Sequence, residues 1–312
     1  MKLAFVFPGQ GSQSVGMLNG FAGNPTVAAA MKEASDALGQ DLIALIANGS
    51  EEALARTVNT QPLMLASNVV FYRAWIASGG PQPSVMAGHS LGEYAALCAA
   101  GSLSLRDATK LVRFRAEAMQ SAVPEGIGAM AAILGLSDAD VIASCAEAQQ
   151  GEVCEAVNFN APSQVVIAGH RAAVERAIEI AKTKGAKRGV LLPVSAPFHS
   201  SLLLPAAENL GRYLSKTALF TPQVLVIHNV DVSYAGSPDD IRAALSKQAA
   251  SAVRWVETIQ KMAESGVTHI VECGPGKVLA GLTKRIAPQV QMLSINDCAS
   301  LAATLLAVNS AA

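Results

Sequence analysis

The sequence predicts an α/β fold in two parts: a larger, mainly parallel sheet covered by helices on both faces, and a smaller ferredoxin-like subdomain inserted into it. Three observations carry the prediction. Short apolar runs alternate with helical stretches over most of the chain, the pattern of a parallel sheet. Between residues 126 and 197 that alternation gives way to the order β-α-β-β-α-β. The third is Gly88-His89-Ser90-Leu91-Gly92, which lies between a short apolar run and a helical run. A serine between two glycines in that setting is a nucleophile elbow, which makes the larger part α/β-hydrolase-like.

Leu3–Phe7 is a run of five apolar residues, a buried strand halted by Pro8-Gly9 and followed by a loop to Gln13. Helical patterns cover 25–38, 50–56 and 61–78. The elbow strand spans 83–87, and the helix after it, 93–100, is closed by Gly101. A long helix follows over 104–122. The texture changes at Pro124-Glu125-Gly126-Ile127-Gly128. A strand is expected over 129–134, then a helix over 138–149 capped by Ser137 and Asp140. Strands over 153–159 and 164–168 are joined by Asn160-Ala161-Pro162-Ser163. A helix over 171–184 ends at Gly185, before a strand over 188–194. Strands at 224–228, 269–272 and Gln291–Ile295 then alternate with helices at 238–250, 254–265, 276–286 and 298–309. The core is thus discontinuous, 1–125 and 198–312, around a subdomain at 126–197. The cleft between the two is the expected site.

Composition narrows the function classes. The 312 residues are 51% hydrophobic and 15% charged, enough to bury a large core. A formal net charge of −1 argues against nucleic acid and against a membrane surface as partner. An almost uncharged stretch over 190–209 is broken by Pro193, Pro197 and Pro205, and no apolar run reaches transmembrane length. The N-terminal apolar run is too short for a signal peptide. Five scattered cysteines (98, 145, 154, 273 and 298) show no C-x-x-C spacing and suit buried thiols in a reducing cytoplasm.

Ser90 is the candidate nucleophile. Glycine on both flanks lets strand and helix approach, and the helix points its positive end at charge developing there. The competing reading is a Gly-rich turn with a capping serine. A serine needs a base, and there are five histidines. His89 lies inside the elbow, where its ring projects away from the hydroxyl. His170, His228 and His269 sit at or in ordinary elements and read as structural. His199, in Ser195-Ala196-Pro197-Phe198-His199-Ser200, lies where the chain re-enters the core, and is the candidate base. No Asp or Glu between Ser90 and His199 stands out as a third member, so another group, such as a carbonyl, is expected to orient the ring.

On the 104–122 helix, Arg106, Lys110, Arg113 and Glu117 form a solvated stripe, and Ala108, Leu111, Val112, Ala118 and Met119 an apolar one. Arg115 falls on the apolar side. Either it awaits a carboxylate, which its fork matches, or its stem lies along the core with its head in water. The backbone N–H groups of Gln10 and Leu91 fit an oxyanion hole, the alternative for Pro8-Gly9-Gln10-Gly11 being an ordinary strand-to-helix turn. Cys273-Gly274-Pro275-Gly276 is either a cleft wall or only a strand end.

Several motifs then resemble one family. Phe7-Pro8-Gly9-Gln10-Gly11-Ser12-Gln13, Gly88-His89-Ser90-Leu91-Gly92-Glu93 and Gln120 through Gly128 are similar to malonyl-CoA:acyl carrier protein transacylases. So are Asn158-Phe159-Asn160, Gln164-Val165-Val166-Ile167-Ala168-Gly169 and Gly274-Pro275-Gly276-Lys277-Val278-Leu279, so the resemblance runs along essentially the whole chain. It implies Ser90 as nucleophile, His199 as base and acid, and Arg115 as the holder of a malonyl carboxylate. It also implies Gln10 and Leu91 as oxyanion hole, Gln248 as the residue whose carbonyl steadies the histidine, and Phe198 as a residue that in related polyketide acyltransferases goes with malonyl, a plain core aromatic being the alternative. The substrates implied are malonyl-CoA and acyl carrier protein, joined by ping-pong transfer in fatty-acid synthesis without metal or redox cofactor. A monomer in the cytoplasm is expected. A serine esterase or thioesterase, a discrete polyketide acyltransferase and a non-enzymatic carrier-docking domain are the alternatives. Lys182, Lys184, Lys187, Arg188, Lys284 and Arg285 are candidates to receive the carrier protein or CoA phosphates, or else solvated surface.

Overall fold

Nine strands run through residues 1–311, which this computed structural model describes: β1 (Leu3–Phe7), β2 (Val85–Gly88), β3 (Gly128–Leu134), β4 (Cys154–Ala161), β5 (Gln164–His170), β6 (Arg188–Leu191), β7 (Leu225–Ile227), β8 (His269–Cys273) and β9 (Gln291–Ile295). Five make a parallel sheet in the order β7-β2-β1-β8-β9. β1 lies at its centre, and its five apolar residues are covered on both faces. Phe5 and Phe7 point into one core with Phe71, Trp75 and Leu97. Ala4 and Val6 point into another with Trp255, Ile259 and Leu279. That is the two-residue alternation of a strand read out on two helical layers.

The other four strands form an antiparallel sheet, β4-β5-β3-β6. With the Asp138–Ala148 and Arg171–Thr183 helices it completes the β-α-β-β-α-β unit in ferredoxin-like order. Ala129, Ala131 and Ile133 of β3 face those helices, while Met130 faces the main core. The back of the small sheet therefore lies on the larger body.

Two helices have no counterpart in the expected pattern, Leu42–Asn48 and Leu204–Leu214. The second carries Pro205 in its first turn, where the missing N–H has no partner to lose. Thr57–Ala77 begins earlier than expected and holds Pro62 in its second turn. β6 stops at Leu191, ahead of Pro193. All five cysteines are free thiols, and only Cys298 is exposed. No helix among the described residues is long and apolar enough to cross a membrane.

Candidate active site

The elbow exists because two glycines remove two Cβ atoms. A Cβ on Gly88 would lie 1.8 Å from the Gly92 carbonyl carbon, and one on Gly92 would lie 2.0 Å from the Phe7 oxygen. Between them Ser90 adopts φ 51° and ψ −108°, a backbone that non-glycine residues rarely hold. It is pinned by Asn229, whose Oδ1 accepts from the Ser90 N–H at 2.7 Å while its Nδ2 donates to the Gly88 carbonyl at 2.8 Å.

His199 Nε2 lies 2.7 Å from Ser90 Oγ, and its Nδ1 lies 2.8 Å from the backbone oxygen of Gln248. A carbonyl can only accept, so Nδ1 carries the proton and Nε2 is the bare acceptor facing the hydroxyl. Burial, with the Arg115 charge beside it, pushes the His199 pKa down to about 3. The ring is therefore neutral at any ordinary pH.

Arg115 is 2% exposed and its head is not in water. It donates to Gln61 Oε1 at 2.7 Å, to Gln248 Oε1 at 2.9 Å and to Ser90 Oγ at 3.1 Å, and stands 5.3 Å from the centre of the Tyr94 ring. None of those partners is a carboxylate, and Nε has no acceptor among the described residues. A buried cation beside a nucleophile whose hydrogen-bond partners are two amides and a hydroxyl is suited to an anion.

Below the elbow, Glu93 is fully buried. It accepts from His228 Nδ1 at 2.7 Å, the Asn229 N–H at 3.0 Å and Gln248 Nε2 at 2.8 Å. Gln248 Nε2 also reaches the Ser90 carbonyl at 2.9 Å. One carboxylate thus ties the residue orienting His199 to the residue pinning Ser90.

The cleft above Ser90 encloses about 130 Å³. Gln10, Leu91, Arg115, Phe198 and His199 line it, with Gln61 and Met119 from the core and Met130, Leu192 and Val194 from the small-sheet segment. Among the described residues the Gln10 and Leu91 N–H groups have no acceptor, as an oxyanion site needs. A wider groove of about 550 Å³, between the Leu105–Ser121 and Leu204–Leu214 helices, holds no paired nucleophile and base.

Gln10, Leu91, Arg115, Phe198 and His199 therefore meet Ser90 in one cleft, with Gln248 holding His199 and Arg115 from behind it, and of the other histidines only His89 lines the cleft, its ring turned to Asn160. His89 Nε2 pairs with Asn160 Oδ1 at 2.8 Å, His170 accepts from the Val153 N–H at 2.9 Å, and His269 meets Thr268 Oγ1 at 2.9 Å. Gly274 lies outside the cleft lining, where a Cβ would strike Asn68 Oδ1 and Pro8. Asn68 Nδ2 holds the Pro8 carbonyl at 2.8 Å, so this turn buttresses the Gln10 loop. Lys182 and Lys184 pair with Glu179 and Glu147, and Arg285 holds the Pro162 carbonyl at 2.6 Å. Sequence reasoning missed Gln61, Glu93 and Asn229. Gln61 left no distinct signal, being one of several polar residues in the Thr57–Ala77 helix.

The acyl transferase domain family matches residues 4–302. The chain is 53% identical to the malonyl CoA-acyl carrier protein transacylase of Haemophilus influenzae, over 96% of each chain. It is 50% identical to that of Escherichia coli K12, over 97% of this chain and 99% of the relative. Among solved structures it is similar to an acyl-carrier-protein S-malonyltransferase from Burkholderia pseudomallei, with a TM-score of 0.97 and 60% identity over 98% of this chain and 100% of that one. It also resembles a malonyl-transacylase solved in complex with its type II polyketide acyl-carrier protein, with a TM-score of 0.97 and 48% identity over 98% and 100% of the chains.

Proposed function

This chain belongs to the acyl transferase domain family, and we propose that it transfers the malonyl group of malonyl-CoA to the phosphopantetheine thiol of acyl carrier protein, supplying fatty-acid synthesis. The observation that carries this reading is Arg115: a buried cation with no hydrogen-bonded carboxylate, 3.1 Å from the nucleophile. A malonyl group presents its thioester carbon and its free carboxylate at that separation of roles, and a bidentate Arg contact suits the carboxylate.

His199 Nε2 takes the Ser90 proton as Oγ attacks the thioester carbonyl. The Gln10 and Leu91 N–H groups hold the oxyanion. Collapse breaks the C–S bond, and His199 returns the proton to the CoA sulfur. The malonyl ester stays on Ser90 with its carboxylate on Arg115. The carrier thiol then gives its proton to His199, attacks the ester, and Ser90 leaves with the proton restored. This is ping-pong transfer. Side chains and two amides perform each step, so we propose that no metal or redox cofactor takes part. All of these groups come from one chain, which supports a working monomer, and the free thiols suit the cytoplasm.

Intact mass after mixing with malonyl-CoA alone tests the proposal. A single malonyl adduct on the wild type, absent from Ser90→Ala, is the expected result. Release of CoA without an adduct would make the protein a hydrolase and overturn it.

A further inference from the structure

His199 is held from two directions, and the second is not part of the core. Its ring is fixed by Gln248. Its backbone, at φ 68°, occupies the left-handed region that a non-glycine residue holds only when its surroundings impose it. Two residues later the chain is gripped by Glu155 of β4: Oε2 accepts from the Ser201 N–H at 2.7 Å and Oε1 from Ser201 Oγ at 2.8 Å. Ser200 closes the loop on itself, its Oγ donating to the Pro197 carbonyl at 2.7 Å. Glu155 is thus the small sheet's polar grip on the histidine loop.

The same strand also sets the other anchor. Cys154 faces the helices of the small sheet and Val157, on the opposite face, the main core, and the pairing with β5 shifts register between Ala156 and Asn158. There the Val253 N–H donates to the Val157 carbonyl at 2.8 Å and the Phe159 N–H to the Val253 carbonyl at 3.0 Å. Val253 lies just beyond Gln248. One bulged strand therefore spans the loop that carries His199 and the segment that orients its ring.

We propose that Glu155 is a positioning residue for acyl transfer: by gripping Ser201 from the small sheet it sets the His199 imidazole against Ser90. The inference rests on the Ser90–His199 chemistry above, and not on which acyl group is carried. It makes the small subdomain part of the base's support rather than only a wall of the cleft.

The test uses the full chain with Glu155→Ala and Glu155→Gln, and follows Ser90 modification both by malonyl-CoA and by phenylmethylsulfonyl fluoride, a neutral reagent that needs no Arg115. Glu155→Ala is expected to slow both reactions by about 10- to 100-fold, as expected for a small misplacement of a catalytic group, with KM for malonyl-CoA little changed. Glu155→Gln is expected to restore most of the rate, because its oxygen accepts from the Ser201 N–H and its amide donates to Ser201 Oγ, which also accepts. The residual Glu155→Ala rate should climb with hydroxide concentration above neutral pH, where the wild-type rate is level. A wild-type sulfonylation rate and level pH profile in Glu155→Ala would overturn the proposal, as would equal damage from both variants. Should Glu155→Ala fail to fold, Ser201→Ala removes one of the two contacts, and must show a smaller defect with the same pH signature. Its absence there also overturns the proposal. A wild type sulfonylated at Ser90 but inert to malonyl-CoA would defeat the substrate reading alone, leaving the Glu155 comparison intact.

Discussion

The Nδ1 atom of His199 lies 2.8 Å from the backbone oxygen of Gln248. In a Ser-His-Asp site an anion in that place stabilises the imidazolium that forms. Here the partner is a neutral carbonyl, and the nearby charge is the positive one of Arg115, which opposes protonation. The base is therefore weak until something offsets Arg115. A malonyl carboxylate does so, and the imidazolium becomes easier to form once the substrate with that carboxylate is bound.

The pH profiles should show this. Arg115 lowers the His199 pKa, so a carboxylate beside Arg115 raises it, and the acid limb of kcat must lie at higher pH than that of kcat/KM, which reports the free enzyme. With the free-enzyme value at about 3, kcat/KM should not bend near the ordinary histidine pKa. Coincident limbs in the two profiles would show that the carboxylate does not meet Arg115 beside the base.

Arg115→Ala removes the anion site and strands the Gln61 and Gln248 oxygens that faced it. Truncating one partner of a buried charge pair costs about 3–4 kcal/mol, or about a few hundredfold in kcat/KM for malonyl-CoA. Acetyl-CoA has no carboxylate to lose, so its kcat/KM should hold or rise. Steady-state assays with the two thioesters decide it, and an equal fall for both would remove Arg115 from carboxylate recognition.

The parts legible in the sequence are those whose cause is local. β1 declares itself by five consecutive apolar residues, and the elbow by two glycines whose Cβ atoms have no room. Arg115 shows through the helical period, though the period alone leaves open whether its head reaches water. What orients His199 was not legible in the same way. A backbone carbonyl has no residue signature, and Gln248 was reached only by resemblance. Glu93, Asn229 and Gln61 act over separations in sequence that no periodicity reports. The Leu204–Leu214 helix was hidden because Pro205 reads as a breaker, whereas in a first turn it is tolerated.

Glu93→Gln should loosen the floor of the site. The carboxylate accepts from three donors at once, and an amide turns one acceptor into a competing donor. Burial pushes the His228 pKa down, but the Glu93 contact outweighs it and leaves it raised. That raised value adds stability which is complete below the unfolded-state pKa and fades as pH rises through the folded one. Urea unfolding should find the variant about 3 kcal/mol weaker in mild acid, with a smaller gap at alkaline pH. A gap that widens with pH would contradict the charged pair.

Gly92→Ala tests how tightly the oxyanion site is coupled to the elbow. The added methyl would stand 2.0 Å from the Phe7 oxygen and 3.1 Å from the Pro8 oxygen, and both are backbone, so no side chain can swing away. The end of β1 and the loop that carries Gln10 must move instead. Overpacking of this kind costs about 1–3 kcal/mol, enough to lower Tm by several degrees without unfolding a chain of this size. The shift falls on an oxyanion donor rather than on Arg115. Protein that stays folded should therefore keep its KM for malonyl-CoA and lose kcat by about 10- to 100-fold, somewhat less than removing a donor outright. A raised KM with kcat unchanged would place the Gln10 loop in ground-state binding rather than in holding the developing negative charge.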